Sequence, residues 1–368
     1  MASNTITFEN NSGSTVAASR SFWLRNKEWD LTFISLSAVL VFVPLASYYF
    51  GQSERSQGYS QYMSKVVDYF VAACIGGPHM FATFIRTFMN KGFVKDNKFV
   101  TYSSFLIPVM VIAIGIANDR MPLLLTIFFT FASVHVIEQM LYLVDSYNIK
   151  ARLPIPKWER FSDYFVSFSA LAPWGVYMFV HDKFLIDGRI LLFPPILKQE
   201  WLIYVTFAVF FLAVVIFVYK TYLEIKEDRF NGPKTLLISL TFMIGFWIPS
   251  VGLIGIPLDV SFQGFNIWHS FQYLGVSAFI LKQQYKKGLI TSPFVKKLAK
   301  SGWYFYGFNV LVTWCLVGVM FLISPDIGFG LVQTDSQARY LPTLSFLLIH
   351  YYHDHFLFRD HEDLVAVT

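Results

Sequence analysis

Four histidines stand in runs that otherwise read as apolar and aromatic: His79 in ACIGGPHMFATFIRTF, His135 in FASVHVIEQMLYLVDSY, His269 in FNIWHSFQYLG and His350 in SFLLIHYYHDHFLFRD. Imidazole suits iron, zinc and copper alike, and side chains converging from several helices are how bundles build metal sites. Each histidine carries companions at i+3 and i+4, the positions that share its helix face: Ala82 and Thr83, Glu138 and Gln139, Gln272 and Tyr273, His353 and Asp354. Such groups serve as further ligands or fix the imidazole tautomers. The expected metal ligands are therefore His79, His135, His269, His350 and His353, with Glu138, Asp354 and Tyr273 as catalytic groups and Gln139 and Gln272 as orienting ones. Two facing pairs, His135-Glu138 and His350-His353, leave a dinuclear site open beside a mononuclear one. His355, at i+5 from His350, points away from that face. His181 and His361 are expected to be solvated, and Arg86 to snorkel toward headgroups.

The elements that must position these residues are membrane helices. Of 368 residues, 55% are hydrophobic, 19% aromatic and only 14% charged, and the mean hydropathy is +0.49. Soluble domains carry about 25% charged residues, so the composition excludes an ordinary soluble enzyme. A spanning helix needs about 20 mostly apolar residues, and ten such segments can be read, near 31–50, 66–90, 99–117, 121–145, 161–181, 200–221, 234–257, 263–283, 302–324 and 339–358. The fold class is all-α, a polytopic helical bundle over 29–358, between a polar tail at 1–28 and a short tail at 359–368. The first tail has no apolar stretch of the signal-peptide kind.

Lys and Arg set the orientation. They gather at Arg20, Arg25 and Lys27, and in the connections after the second, fourth, sixth and eighth spans: Lys91/Lys95/Lys98, Lys150/Arg152/Lys157/Arg160, Lys220/Lys226/Arg229/Lys234 and Lys286/Lys287/Lys296/Lys297/Lys300. The alternate connections are poorer, with Lys183, Arg189 and Lys198 the exception, so both termini are expected to be cytoplasmic. The net charge of +5 then reports topology and not nucleic-acid binding. Cys74 and Cys315 suggest neither a disulfide framework nor a zinc knuckle. The four histidine-bearing spans all run from outside to inside. At 1.5 Å per residue, His79, His135 and His350 lie roughly 16–21 Å below their outer ends, and His269 joins them if its helix starts as early as Leu258.

The series GGPHMFATF, SVHVIEQ, NIWHSFQYL and LIHYYHDH resembles, in order and character, the membrane-embedded bacterial β-carotene 15,15′-dioxygenases related to bacteriorhodopsin-associated proteins. GGPH and WHS are the nearest matches. The resemblance implies iron held by His79, His135, His269 and His350, with oxygen used to cleave a hydrophobic polyene. Tyr273 stands where that family has a second histidine, and MFATFIRT replaces its small and acidic continuation after the early histidine.

The expected function is a membrane-embedded, histidine-ligated non-haem oxidoreductase of the oxygenase kind, using iron and O2 on a lipid-soluble substrate that enters from the bilayer, in a bacterial cell membrane. Zinc or copper are the alternative metals. A zinc hydrolase of a lipid amide or ester, with Glu138 or Asp354 as base, is the main competitor. A transporter of metal ions or protons would need ionisable groups strung along a path, and bis-histidine haem ligation for electron transfer would show a visible Soret band.

Overall fold

The computed structural model describes residues 22–52, 66–67, 69–117, 120–152, 154–186, 188–254, 256, 258–326 and 328–365. Most of the expected N-terminal tail, including Arg20, lies outside the described residues. The helices are α1 (Lys27–Phe50), α2 (Gly77–Arg86), α3 (Lys91–Asp96), α4 (Lys98–Gly115), α5 (Met121–Ala151), α6 (Lys157–Ser169), α7 (Ala172–Val180), α8 (Glu200–Lys226), α9 (Gly232–Leu253), α10 (Leu258–Lys286), α11 (Pro293–Lys300), α12 (Gly302–Ile323), α13 (Asp335–Leu357) and α14 (Glu362–Val365). A two-residue antiparallel pairing, Leu185–Ile186 with Arg189–Ile190, lies between α7 and α8.

Six of these helices are long and apolar enough to cross a membrane: α1, α4, α5, α8, α9 and α12. Together they make the chain a multi-pass membrane protein. In water, exposed apolar surface is confined to small patches, yet α8 turns Tyr204, Leu212 and Val215 outward and α12 turns Leu311, Trp314 and Phe321 outward. These helices are the lipid-facing wall. The helices carrying His79, His269 and His350 are not among the six: α2 has ten residues, and polar side chains interrupt the apolar runs of α10 and α13. The expected fifth span breaks into α6 and α7 at Ala170–Leu171, just before Pro173; proline has no amide hydrogen to continue the ladder.

Polar groups at helix ends and breaks find partners, as hydrocarbon requires. The Thr334 hydroxyl and Gln337 form a capping box at the start of α13, and Gln337 Nε2 also donates to the Gly115 and Ile116 carbonyls at the end of α4. A π-helical turn, Ala72–Gly76, precedes Pro78, and the Cys74 carbonyl there accepts from Tyr306 Oη at 2.6 Å. A second π turn, Leu31–Ser35, sits inside α1. Asp30 is buried and accepts from the backbone of Leu24 and Arg25 and from the Tyr147 hydroxyl, fastening the chain's entry to α5.

Three placements differ from the sequence reading. Lys220 and Lys234, counted among flanking cations, are fully buried, paired with Asp163 and Glu224 at 2.7–3.2 Å between α6, α8 and α9. The C-terminal segment is docked: Leu364 is buried, the Tyr142 hydroxyl donates to the Asp360 carbonyl, and Lys287 holds Glu362 and Asp363. His361 belongs to that docking, against Ser146 and stacked on Tyr142, so it is not solvated. His181 is exposed.

Candidate metal centre

Four helices deliver one histidine each. His79 is the third residue of α2, where glycines allow close approach: a Cβ on Gly77 would stand 2.2 Å from Thr313 Cγ2, and one on Gly76 would stand 3.0 Å from Asn266 Nδ2. His135 lies in the middle of α5. Helix α10 begins at Leu258, so His269 is eleven residues in, or about 16 Å at the helical rise. His350 sits in the last two turns of α13.

All four side chains are buried, and one ring nitrogen from each lies within 4.8 Å of the others. Ring centroids are 4.4 Å apart for His79–His350, 4.6 Å for His135–His350, 4.7 Å for His79–His269 and 4.8 Å for His135–His269. Four nitrogens each about 2 Å from one ion stand about 3.3 Å apart in a tetrahedron, so separations of up to 4.8 Å would have to close by up to about 1.5 Å around a single metal.

Nitrogen partners show which atoms face inward. His79 Nδ1 lies 3.1 Å from Ser270 Oγ and also bonds the Gly76 backbone, while its Nε2 has no partner. His350 Nδ1 lies 2.6 Å from Thr83 Oγ1, and its Nε2 is likewise free. Both nitrogens of His135 and of His269 are unpartnered. An unsatisfied buried polar atom costs about 1–3 kcal/mol. Six of them would cost about 6–18 kcal/mol, as much as a typical domain's whole stability. A metal ion would take four; the structure gives no partner for the second nitrogen of His135 or His269.

The residues four positions after each histidine, Thr83, Gln139, Tyr273 and Asp354, form a second layer one turn further along. Asp354 Oδ1 accepts from Thr83 Oγ1 at 2.8 Å and from Tyr273 Oη at 2.7 Å, and those two hydroxyls are 2.6 Å apart. With the Thr83 proton given to Asp354, its lone pair accepts Nδ1–H of His350, which leaves His350 Nε2 unprotonated and turned toward the other rings. That tautomer is inferred from the hydrogen-bond network. Asp354 Oδ2 stays unpartnered, 3.9 Å from His135 Nε2 and 3.6 Å from His350 Nδ1. Gln139 Nε2 donates to the His269 carbonyl and to Gln272 Oε1, and Gln272 Nε2 donates to the Ile34 carbonyl in the π turn of α1. This chain ties α5, α10 and α1 together directly behind His135 and His269.

Three residues fall elsewhere than the sequence reading places them. His353 is fully buried but sits against Phe88 and Phe93 at 4.8 and 5.9 Å between centroids, apart from the four. Glu138 accepts from His355 Nδ1 at 2.7 Å, on a partly exposed face where Arg359 donates to His355 Nε2. The helix accounts for both: from each histidine, i+4 lies about 40° round to one side and i+3 about 60° to the other. Arg86 does not snorkel outward. It is buried, bonded to Tyr273 and within electrostatic reach of Asp354 and Tyr142, as a buried carboxylate in hydrocarbon requires a counter-charge.

Two residues that support the site carry no expected role in the sequence. Thr83 appears only as one of eight face-sharing companions, and Ser270 only as the last letter of WHS. No protein-family model, curated protein or solved structure matches this chain.

Proposed function

We propose that His79, His135, His269 and His350 hold one redox-active transition metal, iron first, and that the chain is a membrane-embedded non-haem oxidoreductase of the oxygenase kind. The observation that carries this reading is the convergence of four buried imidazoles with unpartnered ring nitrogens within 4.8 Å of one another. Imidazole alone does not separate iron from zinc or copper; the resemblance of the GGPH and WHS segments puts iron first. The site is read as mononuclear, because His353 and Glu138, which a second ion would need, face other surroundings.

When bound, iron in such a site supplies open positions for oxygen. The protein's own groups do the rest. The Ser270 hydroxyl and the Gly76 backbone orient His79. Thr83 orients His350 and passes its hydrogen bond to Asp354. The free Asp354 Oδ2 faces His135, where its charge, when ionised, would offset that of the ion. Tyr273 and Arg86 hold that carboxylate in place. Burial of all four histidines excludes bulk water, so a lipid-soluble substrate entering laterally is part of the proposal. So are a topology of ten spans, in which α2, the α6–α7 pair, α10 and α13 join the six apolar helices, cytoplasmic termini, and a bacterial inner membrane.

Elemental analysis of the purified protein, with an absorption spectrum, is the test. About one iron per chain, lost on replacing any of the four histidines by alanine, supports the proposal, and no stoichiometric transition metal refutes it. A zinc hydrolase is the second reading, favoured by the unpartnered Asp354 Oδ2 beside His135 as a base for a metal-bound water. Stoichiometric zinc, with no oxygen uptake, would establish it.

A further inference from the structure

The connection from α10 through α11 to α12 lies outside the metal centre, and no function has yet been assigned to it. Helix α11 is amphipathic: Val295, Leu298 and Ala299 are buried against the bundle, and Lys296, Lys297 and Lys300 are exposed. Lys286 ends α10 beside them. None of these four lysines has an ion-pair partner among the described residues, whereas Lys287 is taken by Asp363 and Glu362 at 2.7 and 2.9 Å. Large apolar side chains are exposed on the same connection: Trp303 is 82% exposed, with Leu289, Phe294 and Tyr304 also exposed. Lys297 Nζ lies 6.0 Å from the Tyr304 ring centroid.

Unpaired ammonium groups next to exposed Trp, Tyr, Phe and Leu fit one environment, the boundary between acyl chains and headgroups. Water alone would leave the aromatic rings uncovered, and hydrocarbon alone would strand four charges. We infer that α11 lies in the plane of that boundary and that Lys286, Lys296, Lys297 and Lys300 form a docking surface for anionic phospholipid headgroups, with Trp303 and Phe294 seated among the upper acyl carbons. Each lysine near an anionic surface contributes about fivefold in affinity, so three together are worth on the order of 100-fold.

The test titrates detergent-solubilised full-length protein with brominated phosphatidylglycerol and, separately, brominated phosphatidylcholine of the same chains, following tryptophan fluorescence. Phosphatidylglycerol is expected to quench at far lower concentration, and the Trp303→Phe variant is expected to lose that component. The variant K296Q/K297Q/K300Q should lose the preference on the order of 100-fold, while R152Q/K157Q/K226Q, which removes as many charges elsewhere, should keep it. The variant K296R/K297R/K300R should also keep it, which separates loss of charge from loss of fold. Equal quenching by both lipids, or equal losses in both glutamine variants, overturns the proposal. Displacement of the lipid by glycerol phosphate alone also overturns it, since the site would then bind a free anion and not a bilayer.

Discussion

Replacing Thr83 by valine keeps the volume of the side chain and removes one hydroxyl. In the structure that hydroxyl lies 2.6 Å from His350 Nδ1, 2.8 Å from Asp354 Oδ1 and 2.6 Å from Tyr273 Oη, with no exposure to solvent. Valine therefore strands the His350 Nδ1–H and removes one of the two donors to Asp354 Oδ1. Losing the partner that orients a metal-bound histidine costs about 10–100-fold in metal affinity, or about 1.4–2.8 kcal/mol. The assay is competition with a calibrated chelator, read as metal retained per chain on folded, detergent-solubilised protein. Thr83→Ser restores the hydroxyl and should recover the affinity. Thr87→Val is the control, since the equally buried Thr87 hydroxyl bonds only the Thr83 carbonyl. A Thr83→Val protein with the wild-type helical signal and wild-type metal affinity would refute the reasoning, because His350 would not depend on its hydrogen bond for orientation.

His353→Ala should leave metal content unchanged while His350→Ala abolishes it; loss of metal in both would return His353 to the site. Gly77→Ala should lower thermal stability by about 1–3 kcal/mol, the usual cost of overpacking, because the new methyl would stand 2.2 Å from Thr313 Cγ2 and 2.7 Å from the Ala72 carbonyl. Burial holds the His361 pKa below its ordinary 6.5, with Asp145 and Asp360 opposing only in part. The docked C-terminal segment thus keeps its full stability above pH 6.5 and loses it as the pH falls below, where the released tail takes up the proton first. Relative to the intrinsic exchange rate at each pH, the protection of the amides over Glu362–Val365 should fall from pH 7.5 to 5.5 in the wild type, and less so in His361→Gln.

The histidines were legible because each violates its surroundings: an ionisable ring in an apolar run has few explanations in a membrane. The apolar run places the His269 span near 263–283, and helix α10 starts earlier, at Leu258. Helical spacing named the second layer but not its members. The i+3 and i+4 positions are equivalent as sequence neighbours, and the choice between them depends on which way each helix is rotated against the others. That rotation is set by contacts distant in the chain, such as Gly77 against Thr313 and Gln272 against the Ile34 carbonyl. The i+4 residues Thr83, Tyr273 and Asp354 meet, Gln139 at i+4 joins the i+3 residue Gln272, and Glu138 and His353 are carried off to other surroundings. The same logic explains Arg86. Seven residues past His79, it lies on the same face two turns along, and with Asp354 already buried there its charge is held inside the bundle. Thr83 and Tyr273 occupy one oxygen of that carboxylate, and the other faces His135. The packing thus brings four imidazoles and one facing carboxylate oxygen together.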